Sequence, residues 1–205
     1  MKIQCRRNER SGAGFPRNRE IERMARSKPM NFKQLILAAT AAVGLAGSAS
    51  ATLPTPNPAA ATRDNQAFLF NAGAGDIFEI TSSVMAIQHS QNPQVRAFAS
   101  MLISDHTNLT NNTLATAKAA GVMAPPPELS PMQKSMLAQL AAASPASFDR
   151  VYLQQQLPAH QMALQMMQGY AAQGDVPQLR QAAGGAVPIV QNHIREVQQL
   201  LGSVR

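Results

Sequence analysis

The sequence predicts an all-α protein: four long helices forming a bundle, with a long crossover that carries one short helix. Three observations predict it. Beyond Arg63 the apolar residues recur at helical spacing, and no stretch shows the period-2 alternation of a strand. Ala, Leu, Met and Gln, all good helix formers, dominate that region. Turn and cap signals leave short connections between the first and second helices and between the third and fourth. That is the pattern of two antiparallel hairpins.

The first helix is predicted from about Asp64, an N-cap residue, to His89, with Asn92-Pro93 ending it. The second covers 93–120; Pro93 suits a first helical position and Gly121 is the stop. The crossover holds Pro125-Pro126-Pro127, then a short helix near 131–143 capped by Ser130. The third long helix starts after Ser147 and runs to about 173, where Gly174-Asp175 makes the turn. The fourth covers 176–201.

Ahead of the bundle, residues 30–51 read as a secretory signal peptide that starts late. Lys33 supplies the positive region, 35–45 the apolar run, and Ala49-Ser50-Ala51 the cleavage site. Residues 1–29 are then an over-long N-terminal extension, with translation beginning at Met24 or Met30. The other reading is a basic arm before an uncleaved anchor, although the run 35–45 is short for a bilayer of about 30 Å. Residues 52–62 read as a Pro-rich linker and 63–205 as the bundle domain. The expected location is the periplasm or outer envelope of a bacterium, with a mature chain that is not transmembrane.

The formal charge of +7 belongs to the discarded end. Of 18 basic and 11 acidic side chains, ten basic and three acidic ones lie in 1–33, leaving eight of each beyond Ala51. A neutral chain has no electrostatic footprint for phosphate backbones, so nucleic acid is excluded as a partner. No Gly-rich phosphate loop and no nucleophile elbow appear, so nucleotide binding and hydrolysis have no support. Cys5 is the only cysteine, which excludes a disulfide scaffold, a thiolate metal site and a cysteine nucleophile from the mature chain. Self-association or an envelope partner remains open, since a neutral surface repels itself weakly.

Three of the four histidines fall inside apolar seams. His106 joins Val95, Phe98, Ala99, Leu102, Leu109 and Thr113 on the second helix. His160 lies with Leu153, Leu164, Met167 and Ala171 on the third. On the fourth, His193 interrupts Leu179, Ala182, Ala186, Ile189, Val197, Leu200 and Val204. His89 ends the first helix, where the helix dipole suits it. Glu79 is the lone charge on a first-helix face of Phe68, Ala72, Gly75, Ser83 and Ala86. A second face of that helix (Phe70, Ile77, Ile80, Val84, Ile87) is also apolar, so spacing alone does not bury Glu79.

Glu79, His106, His160 and His193, one per helix, are the candidate metal ligands, with Asp105 and Glu196 as orienting neighbours. Imidazole and carboxylate suit Zn, Cu, Fe or Ni. The competing reading makes each histidine a hydrogen-bonded core residue. Pro158 and Pro188, just before His160 and His193, either kink their helices and widen the bundle or break each into two.

The steps Phe68…Glu79-Ile80 and Val95-Arg96-Ala97-Phe98-Ala99…Asp105-His106-Thr107 resemble the signature of an exported bacterial family. Phe148-Asp149…Tyr152…His160 and Pro188…His193 continue the likeness. That family is domain of unknown function 4142, often labelled an outer membrane protein and grouped with ferritin-like bundles. The resemblance covers about 63–201; it implies a ferritin-like fold and an envelope location, and no established activity. The chain lacks the Glu-x-x-His of ferritin-like di-iron sites; its nearest echo is the reversed His193-x-x-Glu196. A site rich in histidine and poor in carboxylate is therefore the better expectation.

Two weaker signals sit on the third helix and the crossover. Met162, Met166 and Met167, with Met132 and Met136, are either soft Cu(I) ligands or, the ordinary reading, core filler. Gln154, Gln155, Gln156, Gln161, Gln165 and Gln168 give the third helix an uncharged polar face for solvent or a partner. The leading expectation is an exported envelope protein without an enzymatic role. The alternative is a transition-metal binder, with redox activity as its extension.

Overall fold

The computed structural model describes residues 59–204. The N-terminal extension, the signal peptide, Cys5 and linker residues 52–58 lie outside the described residues. Among the described residues a 3-10 turn, Ala60–Thr62, leads into five helices: α1 Asn65–His89, α2 Pro93–Ala119, α3 Pro131–Ala142, α4 Phe148–Gln173 and α5 Pro177–Ser203. No strand occurs among the described residues.

Local chemistry sets the helix ends. Asp64 Oδ1 accepts from the Ala67 N–H at 2.8 Å, which satisfies one of the donors a helix start leaves open. Asn92 caps α2 by accepting from the Gln94 N–H at 2.9 Å, with Pro93 following at the first position. Gly121, at φ 72°, takes the left-handed conformation that stops α2. Ser130 and Gln133 exchange side-chain and backbone hydrogen bonds in a capping box that starts α3. Both α4 and α5 continue through their prolines, so Pro158 and Pro188 do not divide them.

Each long helix packs against two others: α1 against α2 and α4, and α5 against α2 and α4. The core is two apolar clusters at opposite ends of the bundle. One gathers Phe68, Ala117, Tyr170 and Leu179, where Phe68 and Tyr170 stack at 4.0 Å between ring centres. The other gathers Ala86, Val95, Leu102, Tyr152 and Val197. The start of α1 and the end of α2 share the first cluster, and the end of α1 and the start of α4 share the second. The helices therefore run up, down, down, up. The chain from α2 to α4 must travel the bundle's length, the single long crossover of ferritin-like folds.

The crossover is held to the bundle along its way. Gln133 Nε2 donates to the Ala74 carbonyl at 3.2 Å, and Gln155 Nε2 to the Met136 carbonyl at 2.9 Å. It passes α1 closely at Gly73, where a Cβ would stand 2.9 Å from Pro127 Cβ.

Three sequence expectations change. The buried seam of α5 is Leu179, Ala183, Ala186, Val190, His193 and Val197, a 4-3-4-3-4 heptad pattern, so Ala183 and Val190 replace Ala182 and Ile189. Gln155 and Gln156 are buried rather than solvated, because each finds a partner inside: Met136 for the first and Ser82 Oγ, at 2.9 Å, for the second. The end of the expected linker forms the 3-10 turn, with Ala61 fully buried against the first cluster.

Candidate metal centre

Between the two apolar clusters lies a polar layer that packing alone does not require. Glu79, Ser82 and Ser83 reach it from α1, His106 from α2, Gln156 and His160 from α4, and His193 from α5. All are buried. Glu79 is 4 % exposed, which settles the phase of α1: its Phe68-to-Ala86 face is inside, while Ile77 on the other apolar face is 36 % exposed.

The three imidazoles converge. Their ring centres are 5.1 to 5.5 Å apart, and one nitrogen from each ring lies within 4.8 Å of the other two. Their other nitrogens are fixed by acceptors. His106 Nδ1 lies 2.8 Å from Asp76 Oδ1, His160 Nδ1 2.9 Å from the Gln156 carbonyl, and His193 Nε2 3.0 Å from Asp105 Oδ2. A carbonyl or carboxylate oxygen accepts from a ring N–H there, which in neutral imidazoles leaves the opposite nitrogens with their lone pairs free. Those are His106 Nε2, His160 Nε2 and His193 Nδ1. The first two stand 3.4 Å apart, and the third is buried with no hydrogen-bond partner. Lone pairs so placed repel one another unless a proton or a cation sits between them.

Burial favours the neutral form of two of these rings, His160 and His193. Burial, reinforced by His106 and His193, pushes the His160 imidazole down to about 3, against the pull of the Gln156 carbonyl. Burial also lowers His193, with the Asp105 hydrogen bond opposing it. Neutral imidazole is the form that ligates a metal. A tetrahedral ion with bonds of about 2.0–2.1 Å holds its ligands roughly 3.3 Å apart, close to the His106–His160 separation. His193 would close in to complete the set.

Of the four residues expected as ligands, the structure brings together His106, His160 and His193. Glu79 is placed differently. Its Oε1 lies 3.7 Å from His160 Nδ1, the nitrogen turned away from the other rings, so it backs His160 rather than joining the triad. Its Oε2 has no partner. Burial, with the nearby Asp76 charge, raises its carboxyl well above the ordinary range. Asp105 does reach His193, while half-buried Glu196 accepts from Asn192 Nδ2 at 2.7 Å. Sequence reasoning missed Asp76, which holds His106 and also accepts from the Thr110 hydroxyl. The available signal was its position one helical turn before Glu79.

A cleft of about 500 Å³ opens beside α1, α3 and α4, and His106, His160 and Glu79 form part of its wall. Among the described residues no helix is long and apolar enough to cross a membrane.

No curated protein sequence matches this one. Among solved structures the fold is similar to that of CopM in the Cu(II)-bound form, with a TM-score of 0.58 and 20% identity. That likeness covers 68% of this chain and 97% of the other. The profile of the family described as "Domain of unknown function (DUF4142)" matches residues 50–200, most of the length and all five helices but the last residues of α5. The chain belongs to the DUF4142 family.

Proposed function

We propose that this protein binds a transition metal at His106, His160 and His193, and that copper is the ion. The observation that carries the reading is the triad itself: three buried rings, each with its outward nitrogen held by Asp76, the Gln156 carbonyl or Asp105. Metal-ligating histidines characteristically have their second nitrogen so engaged, which fixes the tautomer and strengthens the donor. An all-imidazole set fits Cu, Zn, Fe or Ni. Copper is chosen because a protein of similar fold is known in a Cu(II)-bound form. The role is binding or carrying of the ion in the bacterial envelope, consistent with the signal peptide expected at 30–51. Asp76 and Asp105 serve as orienting partners, and Glu79 as a buried neighbour of His160.

Elemental analysis tests this on protein purified without chelator, beside the His106→Ala, His160→Ala and His193→Ala variants. One copper per chain, lost in all three variants, supports the site. No metal in the wild type, and none after titration with Cu, Zn or Fe, reduces the histidines to core polar residues.

A further inference from the structure

The sequence offered two readings of the methionines, and the structure separates them. Met132 and Met136 on α3 and Met162, Met166 and Met167 on α4 all line the same cleft, the one whose wall includes His106 and His160. A core filler is buried. Met132 is 52 % exposed and Met162 47 % exposed, whereas Met166 and Met167 are buried. The thioethers thus pass from solvent to interior along a single opening. The spacing has a geometric cause: 132 with 136, and 162 with 166, are four apart, which puts each pair on one helix face.

We propose that this cleft is a thioether site for Cu(I), which captures the ion at the surface and hands it to the histidine triad. Thioether sulfur is a soft donor that selects Cu(I) over harder divalent ions. It carries no proton, so capture needs no deprotonation. The wall adds carboxylates, Asp76, Glu79 and exposed Glu128, and includes no Lys or Arg that would repel a cation. Transfer is a ligand exchange: Cu(I) leaves sulfur lone pairs and takes the bare nitrogen lone pairs of His106 and His160. No electron moves and no proton is released. The hand-over rests on the triad being the metal site; the capture step does not.

The test uses the full chain with Cu(I) under anaerobic, reducing conditions, competed against a chromophoric Cu(I) chelator. Ag(I) serves as a redox-inert second probe. Four proteins are compared with wild type: Met132→Leu/Met136→Leu/Met162→Leu, the milder Met132→Leu/Met162→Leu, Met123→Leu and His106→Ala/His193→Ala. Leu and Met are similar in volume, and the milder pair changes two half-exposed positions, so the fold tolerates them. The expected result is a Cu(I) and Ag(I) affinity lower by about tenfold or more in the Met132/136/162 variant, with Cu(II) affinity unchanged. The milder pair should show a smaller loss in the same direction. Met123→Leu, an exposed methionine outside the cleft, should match wild type. X-ray absorption should show sulfur around Cu(I), still present in the histidine variant. Unchanged Cu(I) affinity in both cleft variants, or a Cu(I) spectrum with nitrogen scatterers alone, would overturn the proposal. Cu(II) binding that survives loss of the histidines would instead overturn the triad reading and leave thioether capture standing.

Discussion

Asp105 Oδ2 lies 3.0 Å from His193 Nε2 across the interface of α2 and α5, and this contact turns His193 Nδ1 inward with no partner. Asp105 and His106 are consecutive, about 100° apart around α2. The second faces the bundle axis and the first the edge shared with α5. Two adjacent side chains therefore serve one site from two directions.

Removing that contact should loosen the triad without unfolding the bundle. Asp105→Ala leaves His193 free to rotate or change tautomer, and metal affinity is expected to fall about 10–100-fold. Asp76→Ala should act likewise through His106, whose Nδ1 it holds at 2.8 Å. Chelator competition measures both, with circular dichroism confirming helix content. An affinity equal to wild type in either variant shows that the corresponding carboxylate orients nothing.

Glu79→Gln separates two roles for the buried carboxyl. Its folded-state acidity is weakened, chiefly by burial and then by Asp76. A raised folded value means that the folded state holds the proton longer than the unfolded chain. The resulting stability is present at low pH and is lost as pH rises above about 4.5. Glutamine copies the protonated shape and carries no charge to bury. The variant should therefore unfold at a higher temperature than wild type at pH 8, with the advantage shrinking toward pH 4. Metal affinity should change little, since Glu79 faces the outward nitrogen of His160. A collapse of affinity would make Glu79 a ligand.

Acid should destabilise the metal-free protein through its histidines. His160 is pushed from 6.5 to about 3 by burial and by His106, and His193 is lowered by burial. Below about 6.5 the unfolded chain binds protons that these folded rings refuse. Stability then rises with pH over that window and is lost as pH falls from about 6.5 toward 3, by about 1.4 kcal/mol per unit for His160. Denaturant titrations of wild type and His160→Gln from pH 7 to 4 check this. A wild-type slope no steeper than the variant's would show that His160 does not carry the effect.

The bundle was legible because its signals are local. Asp64, Pro93, Gly121 and Ser130 act within one helical turn, so the sequence places the helix ends to within a residue or two of the observed ones. The inward phase of His106, His160 and His193 was legible for the same reason. What was hidden depends on which helix faces which. Asp76 is half-buried on a flank, and only the α1–α2 pairing puts it against His106. Glu79 shares the polar layer with the triad, yet the rotation of α1 places it behind His160. Gln156 reads as surface by composition, but Ser82 on a neighbouring helix supplies its partner. The shift from Ala182 and Ile189 to Ala183 and Val190 is confined to those two positions, with Leu179, Ala186, His193 and Val197 where the seam was expected. Ala182 beside Ala183, and Ile189 beside Val190, give the sequence no contrast.

Two glycine-to-alanine substitutions in long helices should move stability in opposite directions. Gly185 sits exposed in α5, and a Cβ there meets nothing within 4 Å. Alanine at that position avoids the entropy that a helical glycine loses, so Gly185→Ala should stabilise by about 0.5–1 kcal/mol. Gly169 in α4 is different. A Cβ there would stand 2.5 Å from Thr62 Cγ2 and 2.8 Å from Thr62 Cβ, too close for either to remain. The 3-10 turn must lift from α4, carrying Ala61 out of its buried place beside the first cluster. Overpacking of this kind typically costs about 1–3 kcal/mol, more than the helix propensity returns. Gly169→Ala should therefore melt below wild type, with faster amide exchange in α1's first turn and at Arg63 and Asp175, whose backbones are hydrogen-bonded at 2.9 Å. Both variants should bind metal as wild type does, since neither position touches the triad. A Gly169→Ala protein as stable as Gly185→Ala would mean that the turn does not rest on α4 in solution.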